Sequence, residues 1–225
     1  MPDTATDWTR YYERPFVTAH LTRRITGRIL AKMLVEAGFP EGGSIIELGG
    51  GNSAFCDTLT RRLKVCHYTV VDSNPRGVEL FRAKHPSSSS YKALCADILT
   101  LDSASFEPAD LVFSVGLVEH FPEEQTKIAI RRHFELAKPG GLVLITFPVP
   151  TFTYRLIRRA AEALGLWRFP DERPIQLEDA VRLCAEHGEV IAKRLNRAIL
   201  LTQGIILARE NKSSTAEVSG CARTR

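Results

Sequence analysis

The sequence lacks an apolar run long enough to cross a lipid bilayer, and it contains few cysteines. The longest apolar run, residues 141–150, is interrupted by Thr146 and by two prolines, and it is far too short for a membrane-spanning helix. The five cysteines lie far apart and include no Cys-x-x-Cys pair, which disfavours both a disulfide-stabilised secreted domain and a zinc ribbon. The first seven residues are polar and acidic with no apolar segment behind them, so we expect no signal peptide and a cytoplasmic location.

The sequence also lacks a strong excess of one charge. Lys and Arg number 30 against 26 Asp and Glu, a formal charge of +4, which is too small to indicate a nucleic-acid binder. Hydrophobic residues make up 44% and charged residues 25%, as in ordinary globular proteins. A chain of 225 residues can bury enough apolar surface to fold without a disulfide or structural metal, and we predict no metal site.

Strand-like and helix-like segments alternate through the first two thirds of the chain. A helical periodicity covers residues 10–39 and ends at Gly38 and Pro40. The predicted strands then cover residues 44–48, 66–71, 91–95, 110–115 and 142–147, the predicted helices cover residues 53–64, 75–84 and 122–137, and residues 138–141 form a predicted turn. Apolar strands that alternate with helices are typical of a parallel sheet covered on both faces.

The pattern changes after Pro150. Two helical stretches, residues 153–165 and 177–187, precede two strands at 190–194 and 198–208, whose short connection permits only antiparallel pairing. The predicted fold class is therefore α/β, with a Rossmann-like seven-stranded sheet that is mostly parallel, an antiparallel C-terminal strand and helices on both faces. We expect a helical lid or cap at residues 1–40, the main domain at 41–210 with an insertion at about 148–187, and a disordered tail at 211–225.

A glycine cluster follows the first strand, and an acidic residue ends the second. Gly49, Gly50 and Gly51 allow a sharp turn and a close approach to a ligand, and the next helix offers unpaired amides. Asp72 lies 21 residues after Gly51, where a carboxylate accepts hydrogen bonds from the hydroxyls of a ribose. In a strand–helix–strand context, this combination favours a nucleoside ligand over a purely structural turn and helix cap.

The glycine spacing alone does not identify the nucleoside, because with Ala54 it also matches the Gly-x-Gly-x-x-Ala pattern of dinucleotide-binding proteins. Glu47, however, suits a ligand with an ammonium group and would repel a pyrophosphate. Asp97 and Ile98 follow the third strand and offer a carboxylate for an exocyclic amine and an apolar wall for adenine. The C-terminal antiparallel pair is also absent from the usual dinucleotide strand order. An NAD(P)-dependent oxidoreductase stays the alternative.

With these residues the sequence resembles the class I S-adenosylmethionine-dependent methyltransferases, most closely the small-molecule branch of ubiquinone-biosynthesis-like enzymes (methyltransferase types 11 and 12). Five motifs in the expected order carry the resemblance, which covers residues 43–147. They are Glu47-x-Gly49-x-Gly51, Asp72, Ala96-Asp97-Ile98, residues 114–121 and residues 136–141. Ser53 stands where many members have a third glycine.

The resemblance implies methyl transfer from S-adenosylmethionine, with S-adenosylhomocysteine as product, to a small molecule such as a glycan- or lipid-linked precursor. It assigns the glycine loop to the methionine end of the cofactor, Asp72 to the ribose, Asp97 and Ile98 to adenine, and the backbone near Val115 to the amino-acid moiety. The expected cofactor-binding residues are Tyr11, Glu47, Gly49, Gly50, Gly51, Asp72, Ser73, Asp97, Ile98, Ser114 and Val115.

His120 is the candidate catalytic residue. It follows the fourth strand, where the loops of the resembling family border the transferred methyl group, and imidazole is a suitable base at neutral pH. The alternative is a structural hydrogen bond that orders the loop. For Glu119 we weigh a helix cap against a contact with the acceptor.

Four aromatic residues, Trp8, Tyr11, Tyr12 and Phe16, precede the long N-terminal helical region. In enzymes of the resembling family such a segment folds over the cofactor as a lid, which Tyr11 or Tyr12 would then contact. The alternative is that these aromatic rings pack on the edge of the sheet.

Residues 148–174 follow the fifth strand, where the resembling family builds its acceptor pocket. Their basic residues, including Arg155, Arg158 and Arg159, predict an anionic acceptor. The apolar face of the same helix either packs on the core or rests on a membrane or a lipid-like acceptor. It consists of Leu156, Ile157, Ala160, Ala161 and Leu164.

A catalytically silent subunit that only binds the cofactor stays an alternative to an enzyme, because the acceptor-side residues are the part of the sequence least specific for a function. Nucleic-acid methylation is disfavoured, since the sequence has neither an Asn/Asp-Pro-Pro-Tyr/Phe motif nor a Pro-Cys nucleophile. The oligomeric state is not predicted.

Overall fold

The computed structural model describes residues 5–14, 19–86, 90–198 and 201–211. The helices within these ranges are α1 (Trp8–Glu13), α2 (Ala19–Glu36), α3 (Cys56–Leu63), α4 (Pro75–Lys84), α5 (Glu123–Glu135), α6 (Phe152–Ala163) and α7 (Leu177–Ala185). The strands are β1 (Ser44–Leu48), β2 (His67–Asp72), β3 (Tyr91–Cys95), β4 (Ala109–Val115), β5 (Ala137–Pro148), β6 (Gly188–Asn196) and β7 (Gln203–Glu210). Phe16 and residues 212–225 of the expected tail lie outside the described residues.

The strands form one seven-stranded sheet in the order β3-β2-β1-β4-β5-β7-β6. The strands from β3 to β5 pair in parallel, whereas β7 runs antiparallel to both β5 and β6. The fold class predicted from the sequence is confirmed. Because β1, β2 and β4 are parallel neighbours, their carboxyl ends meet at one edge, which is where open α/β sheets bind ligands.

The core lies on both faces of the sheet, because each central strand sends alternate apolar side chains to opposite sides. In β1, Ile46 and Leu48 pack in one buried cluster and Ile45 in the other, and in β4 Val112 and Phe113 divide in the same way. Burying each such side chain contributes about 1.5–3 kcal/mol. The packed sheet holds the loops at the carboxyl ends of its strands in place.

Two segments differ from the sequence-based expectation. The helical region predicted for residues 10–39 is divided: α1 ends at Glu13, and the backbone of Arg14 (φ −134°, ψ 71°) leaves the helical region, as expected for a residue that precedes a proline. Residues 138–141, predicted as a turn, belong to β5, in which Gly140 has a φ of +75°. Within the described residues, no helix has the length and apolar character needed to span a membrane.

Candidate cofactor and acceptor site

The glycine loop follows β1 with a backbone conformation that favours glycine. Gly49 and Gly51 have φ values of +68° and +49°, in the left-handed region that favours glycine. The amide of Gly49 donates to the carbonyl of Val71 at 2.8 Å, which fixes the loop to β2. A Cβ atom on Gly49 would lie 2.7 Å from the side chain of Leu117.

Asp72 ends β2 beside this loop, and it is only 6% exposed. Its Oδ2 accepts the amide of Gly51 at 2.7 Å, and its Oδ1 accepts the amide of Asn74 at 2.7 Å. Burial raises the pKa of Asp72 above its ordinary value, although these hydrogen bonds oppose the shift. The carboxylate is thus held rigidly at the end of β2.

Tyr12 of α1 covers both features. Its hydroxyl donates to Oδ2 of Asp72 at 2.8 Å, and a Cβ atom on Gly51 or Gly77 would collide with its ring. Tyr11 points elsewhere, because its hydroxyl accepts a hydrogen bond from Arg23 at 2.9 Å. The structure therefore places Tyr12, not Tyr11, against the acid predicted to bind ribose, and the role of this segment as a lid stays a prediction.

Two adjoining cavities lie at this edge, with volumes of about 420 and 240 Å3. They share Trp8, Tyr12, Gly49, Gly116 and His120 as lining residues. Among the expected cofactor-binding residues, the larger cavity is lined by Tyr11, Glu47, Gly49, Gly50 and Val115, and the smaller by Gly49, Asp72, Ser73, Asp97 and Ile98. The fold thus brings together most of the residues that the sequence predicts.

Glu47 lies under the glycine loop rather than on its surface. It is 3% exposed and accepts a hydrogen bond of 2.7 Å from the hydroxyl of Tyr68. A Cβ atom on Gly50 would lie 2.8 Å from its carboxyl carbon. Burial raises the pKa of Glu47 to about 7, so this acid titrates near neutral pH.

His120 lies where the two cavities meet. Its Nδ1 is 3.0 Å from Oδ1 of Asp171, and the Trp8 ring meets its imidazole edge to face with centroids 4.8 Å apart. Burial lowers the pKa of His120, although Asp171 opposes the shift. Burial thus favours the neutral imidazole, and if Nδ1 donates to Asp171, Nε2 is left as the hydrogen-bond acceptor.

A family model described as a methyltransferase domain matches residues 18–188. The chain belongs to this methyltransferase-domain family. The family predicted from the sequence motifs is thus confirmed. A search of curated protein sequences finds none that matches.

Among solved structures, the magnesium protoporphyrin IX methyltransferase of Synechocystis PCC 6803 with bound S-adenosylhomocysteine has a TM-score of 0.69 at 16% identity, over 91% of this chain and 93% of that chain. The N-methyltransferase NodS of Bradyrhizobium japonicum WM9 in complex with S-adenosylhomocysteine has a TM-score of 0.61 at 17% identity, over 81% and 86%. A putative methyltransferase of Haloferax volcanii, in complex with the activator Trm112, has a TM-score of 0.69 at 12% identity, over 92% and 98%. At these identities the likeness concerns the fold.

Ser114 is the clearest correction to the expected site of this methyltransferase domain. Its side chain is fully buried, and its Oγ lies 2.9 Å from Nε2 of His133. The Nδ1 of His133 bonds the carbonyl of Ala129 at 2.8 Å, and burial lowers the histidine pKa to about 4. Ser114 lines neither cavity, so it connects β4 to α5 and does not face a ligand.

The arginines of α6 also lie elsewhere than expected. Arg155 and Arg159 are exposed, and Arg158 bonds Glu162, the hydroxyl of Tyr154 and the carbonyl of Glu172. None of the three lines the described cavities. They therefore give no support to an anionic acceptor in the cavity.

The apolar face of α6 does not pack on the core as a whole. Leu156 is 58% exposed and Leu164 71%, whereas Ile157 lines the larger cavity. The buried side of the helix is marked instead by Tyr154, which is 1% exposed. Of the two alternatives predicted for this face, packing on the core does not hold for Leu156 and Leu164.

Sequence reasoning missed the acidic wall of the larger cavity. Phe169 and Glu172 come from the loop after α6, and Tyr154 from α6 itself. The loop has no hydrophobic periodicity, and its acidic residues Asp171 and Glu172 are outnumbered by basic residues nearby in the sequence. Only the fold reveals their position, because it brings the loop back to His120.

Proposed function

We propose that this chain transfers a methyl group from S-adenosylmethionine to a small-molecule acceptor bound in the larger cavity. One observation carries the proposal: the buried carboxylate of Asp72 stands beside a glycine loop where the two cavities adjoin. A nucleoside held by Asp72 would fill the smaller cavity, and its thioether-bearing arm would extend along the glycine loop into the larger one. The fold shared with the two methyltransferases that bind S-adenosylhomocysteine supports this arrangement.

The residues present fit such a cofactor. Asp72 would accept the ribose hydroxyls once the phenol of Tyr12 gives up the same oxygen. Ile98, 6% exposed, offers an apolar wall for adenine, and Asp97 lies beside it. Glu47 supports the loop from below at the end that would hold the ammonium group. When bound, S-adenosylmethionine supplies a methyl group already activated by its sulfonium sulfur.

The protein's own task is then to exclude water, to align the acceptor and to take up a proton. Trp8 and Tyr12 cover the cavities from α1. His120, held by Asp171, presents a neutral imidazole to the larger cavity and is the proposed base. The binding roles of Tyr11, Glu47, Asp97 and Val115 are proposed on the same grounds.

Two details of the acceptor expected from the sequence are not part of the proposal. The arginines that suggested an anionic acceptor do not line the described cavities. A lipid-like partner for the exposed face of α6, like a cytoplasmic location, stays a prediction from the sequence. We propose a small-molecule acceptor without these additions.

Titration with S-adenosylhomocysteine and with NADH separates the two enzyme classes. Binding of S-adenosylhomocysteine alone is expected, and binding of NADH alone would overturn the proposal.

Gly49→Val tests whether the cofactor binds at the glycine loop. The valine side chain would collide with Leu117, so the variant should fold but should not bind the cofactor. A label carried by the methyl group then distinguishes an enzyme from a silent binding subunit: transfer to any acceptor supports the enzyme, and cofactor binding without transfer across a broad acceptor panel counts against it.

A further inference from the structure

The wall of the larger cavity next to His120 is built from two acidic side chains. Glu119 belongs to the short 3-10 turn Val118–His120 after β4, and Glu172 comes from the loop after α6. One carboxyl oxygen of Glu119, one of Glu172 and one ring nitrogen of His120 all lie within 4.8 Å of one another. These three side chains therefore converge on one point of the cavity lining.

One oxygen of Glu119 lacks a partner among the described residues. The side chain is 2% exposed, and within that part of the chain its buried Oε2 makes no hydrogen bond. Leaving a buried carboxyl oxygen unpaired is unfavourable, so such atoms in native proteins call for an explanation. The residue lines the larger cavity, and a hydrogen-bond donor on a bound ligand would pair that oxygen once the carboxyl group turns toward the cavity.

The charges around Glu119 favour a positive group. Burial, and after it the charges of Glu172 and Asp171, raise the pKa of Glu119 well above its ordinary value, and a cation bound among the three carboxyl groups would relieve their mutual repulsion. Arg158 forms an ion pair with Oε1 of Glu172 at 4.0 Å, and its guanidinium is also bonded to Glu162 and Tyr154. The hydroxyl of Tyr154 donates to the same Oε1, so a ligand would share Glu172 with these partners. Within the described lining of the larger cavity, the one arginine or lysine is Arg23, which bonds Tyr11.

Aromatic rings complete the same wall. Trp8 and Phe169 both line the cavity, with ring centroids 6.1 Å apart. Each ring also lies near His120, at 4.8 Å for Trp8 and 5.9 Å for Phe169. Aromatic faces attract cations, so rings and carboxylates select for the same class of ligand.

We propose that Glu119 and Glu172 bind the amino group of the methyl acceptor, so that the chain methylates an amine nitrogen. The inference rests on the proposed function and names its substrate class. It assigns Glu119 to acceptor binding, and it places the nitrogen next to His120.

The reaction then balances without a further reactant. The acceptor arrives as an ammonium ion, and one of its protons passes to Nε2 of His120. The nitrogen lone pair forms the new N–C bond while the C–S bond breaks, and the bonding electron pair stays on sulfur. The proton leaves His120 for solvent. Asp171, which is hydrogen-bonded to Nδ1 of His120, stabilises the imidazolium that forms.

The test uses the full-length protein saturated with S-adenosylhomocysteine. Two matched sets of probes are titrated: 2-phenylethylamine, 2-phenylethanol and phenylacetate, and hexylamine, hexanol and hexanoate. The amines are expected to bind at least about tenfold more tightly than the matching alcohols and acids, as expected for hydrogen bonds between charged groups. Equal or tighter binding of the alcohols or acids, or no binding of either amine, would overturn the inference.

Variants locate the effect. Glu119→Gln and Glu172→Gln should each weaken amine binding about tenfold and leave the affinity for S-adenosylhomocysteine within about twofold. Glu124→Gln, at an exposed glutamate that pairs with Lys127, is the matched control and should change neither. If Glu119→Gln does not fold, as judged by its melting temperature, Glu172→Gln carries the test. Unchanged amine affinity in a folded variant would overturn the assignment.

A metal is the remaining possibility for three such donors. Titration with Mn2+ should show no binding that depends on Glu119 and Glu172, and Mn2+ binding that both Gln variants abolish would replace the amine by a metal ion. The outcomes also separate the two proposals. If the wild-type protein does not bind S-adenosylhomocysteine, the proposed function fails, whereas cofactor binding without amine preference removes only the inference.

Discussion

The phenol of Tyr12 donates a hydrogen bond of 2.8 Å to Oδ2 of Asp72, the oxygen proposed to receive a ribose hydroxyl. Helix α1, which carries Tyr12, is preceded by Thr6, whose amide donates to Asp171 at 3.2 Å. Asp171 in turn holds His120. Residues 6–13 therefore connect the proposed ribose site with the proposed base, and we expect cofactor entry to require a change at Tyr12.

Replacing Tyr12 by Phe should raise the affinity for S-adenosylhomocysteine by roughly fivefold, because the cofactor no longer displaces a hydrogen bond worth about 1 kcal/mol. Isothermal titration measures the change. Tyr91→Phe is the matched control. Tyr91 lies on β3 and does not line either cavity, and its ring centroid is 5.0 Å from that of His85. Weaker binding by Tyr12→Phe would mean instead that the phenol contacts the bound cofactor.

Ser114→Ala should lower the free energy of unfolding by about 1–3 kcal/mol, since buried Nε2 of His133 loses its hydrogen-bond partner. Cofactor affinity should not change, because the side chain faces the core. Denaturant unfolding and titration with S-adenosylhomocysteine measure the two quantities, with the exposed Ser105→Ala as control. A loss of affinity at unchanged stability would return Ser114 to the cofactor site.

The stability gained by Glu47→Gln should depend on pH. The carboxyl has an ordinary pKa of 4.5 and one of about 7 in the folded protein, where burial is the main cause. Between these values the folded state binds more protons than the unfolded state, so its free energy of unfolding falls as pH rises, by up to about 3 kcal/mol, and is level above pH 7.

The Gln variant lacks this dependence. Its stability relative to the wild type should therefore rise from pH 4.5 to 7, as measured by urea unfolding at each pH. Glu124→Gln, at an exposed position, is the control. A constant difference across this window would show that burial does not shift the Glu47 pKa.

The arginines of α6 should separate into two groups. Arg158→Gln removes bonds to the hydroxyl of Tyr154 and the carbonyl of Glu172, so it should raise the KM for the acceptor several-fold while cofactor affinity holds. The double variant Arg155→Gln/Arg159→Gln changes only exposed residues and should leave both quantities as they are. Steady-state kinetics with an identified acceptor measures KM. A raised KM in the double variant would restore an anionic acceptor.

The sequence predicts the fold well because its strands are apolar and bounded by turn residues. Strand β1 at Ser44–Leu48 and β3 at Tyr91–Cys95 have the predicted bounds. The sequence pattern does not predict the end of α1 at Glu13. The apolar residues keep a helical spacing on both sides of Pro15, and the prediction considers that spacing alone.

The cofactor side of the site is also predictable, because Gly49, Asp72 and Asp97 follow strands whose ends the topology brings together. The acceptor side is not. Glu172 and Phe169 reach the cavity through an irregular loop, and no local pattern in the sequence tells which of its side chains turn inward. Ser114 was misplaced for a related reason, since alternation along β4 puts its side chain on the side of His133 rather than toward the cavity.

The affinity of the wild-type protein and of Asp72→Asn for S-adenosylhomocysteine, measured by isothermal titration calorimetry, tests the cofactor site most directly. The wild-type protein should bind one equivalent. Asp72→Asn should bind roughly 100-fold more weakly, because charge-assisted hydrogen bonds to the ribose are worth about 3 kcal/mol, and its melting temperature should show that it is folded. A folded wild-type protein that does not bind, or an Asp72→Asn variant that binds as tightly as the wild type, would contradict the proposed cofactor site.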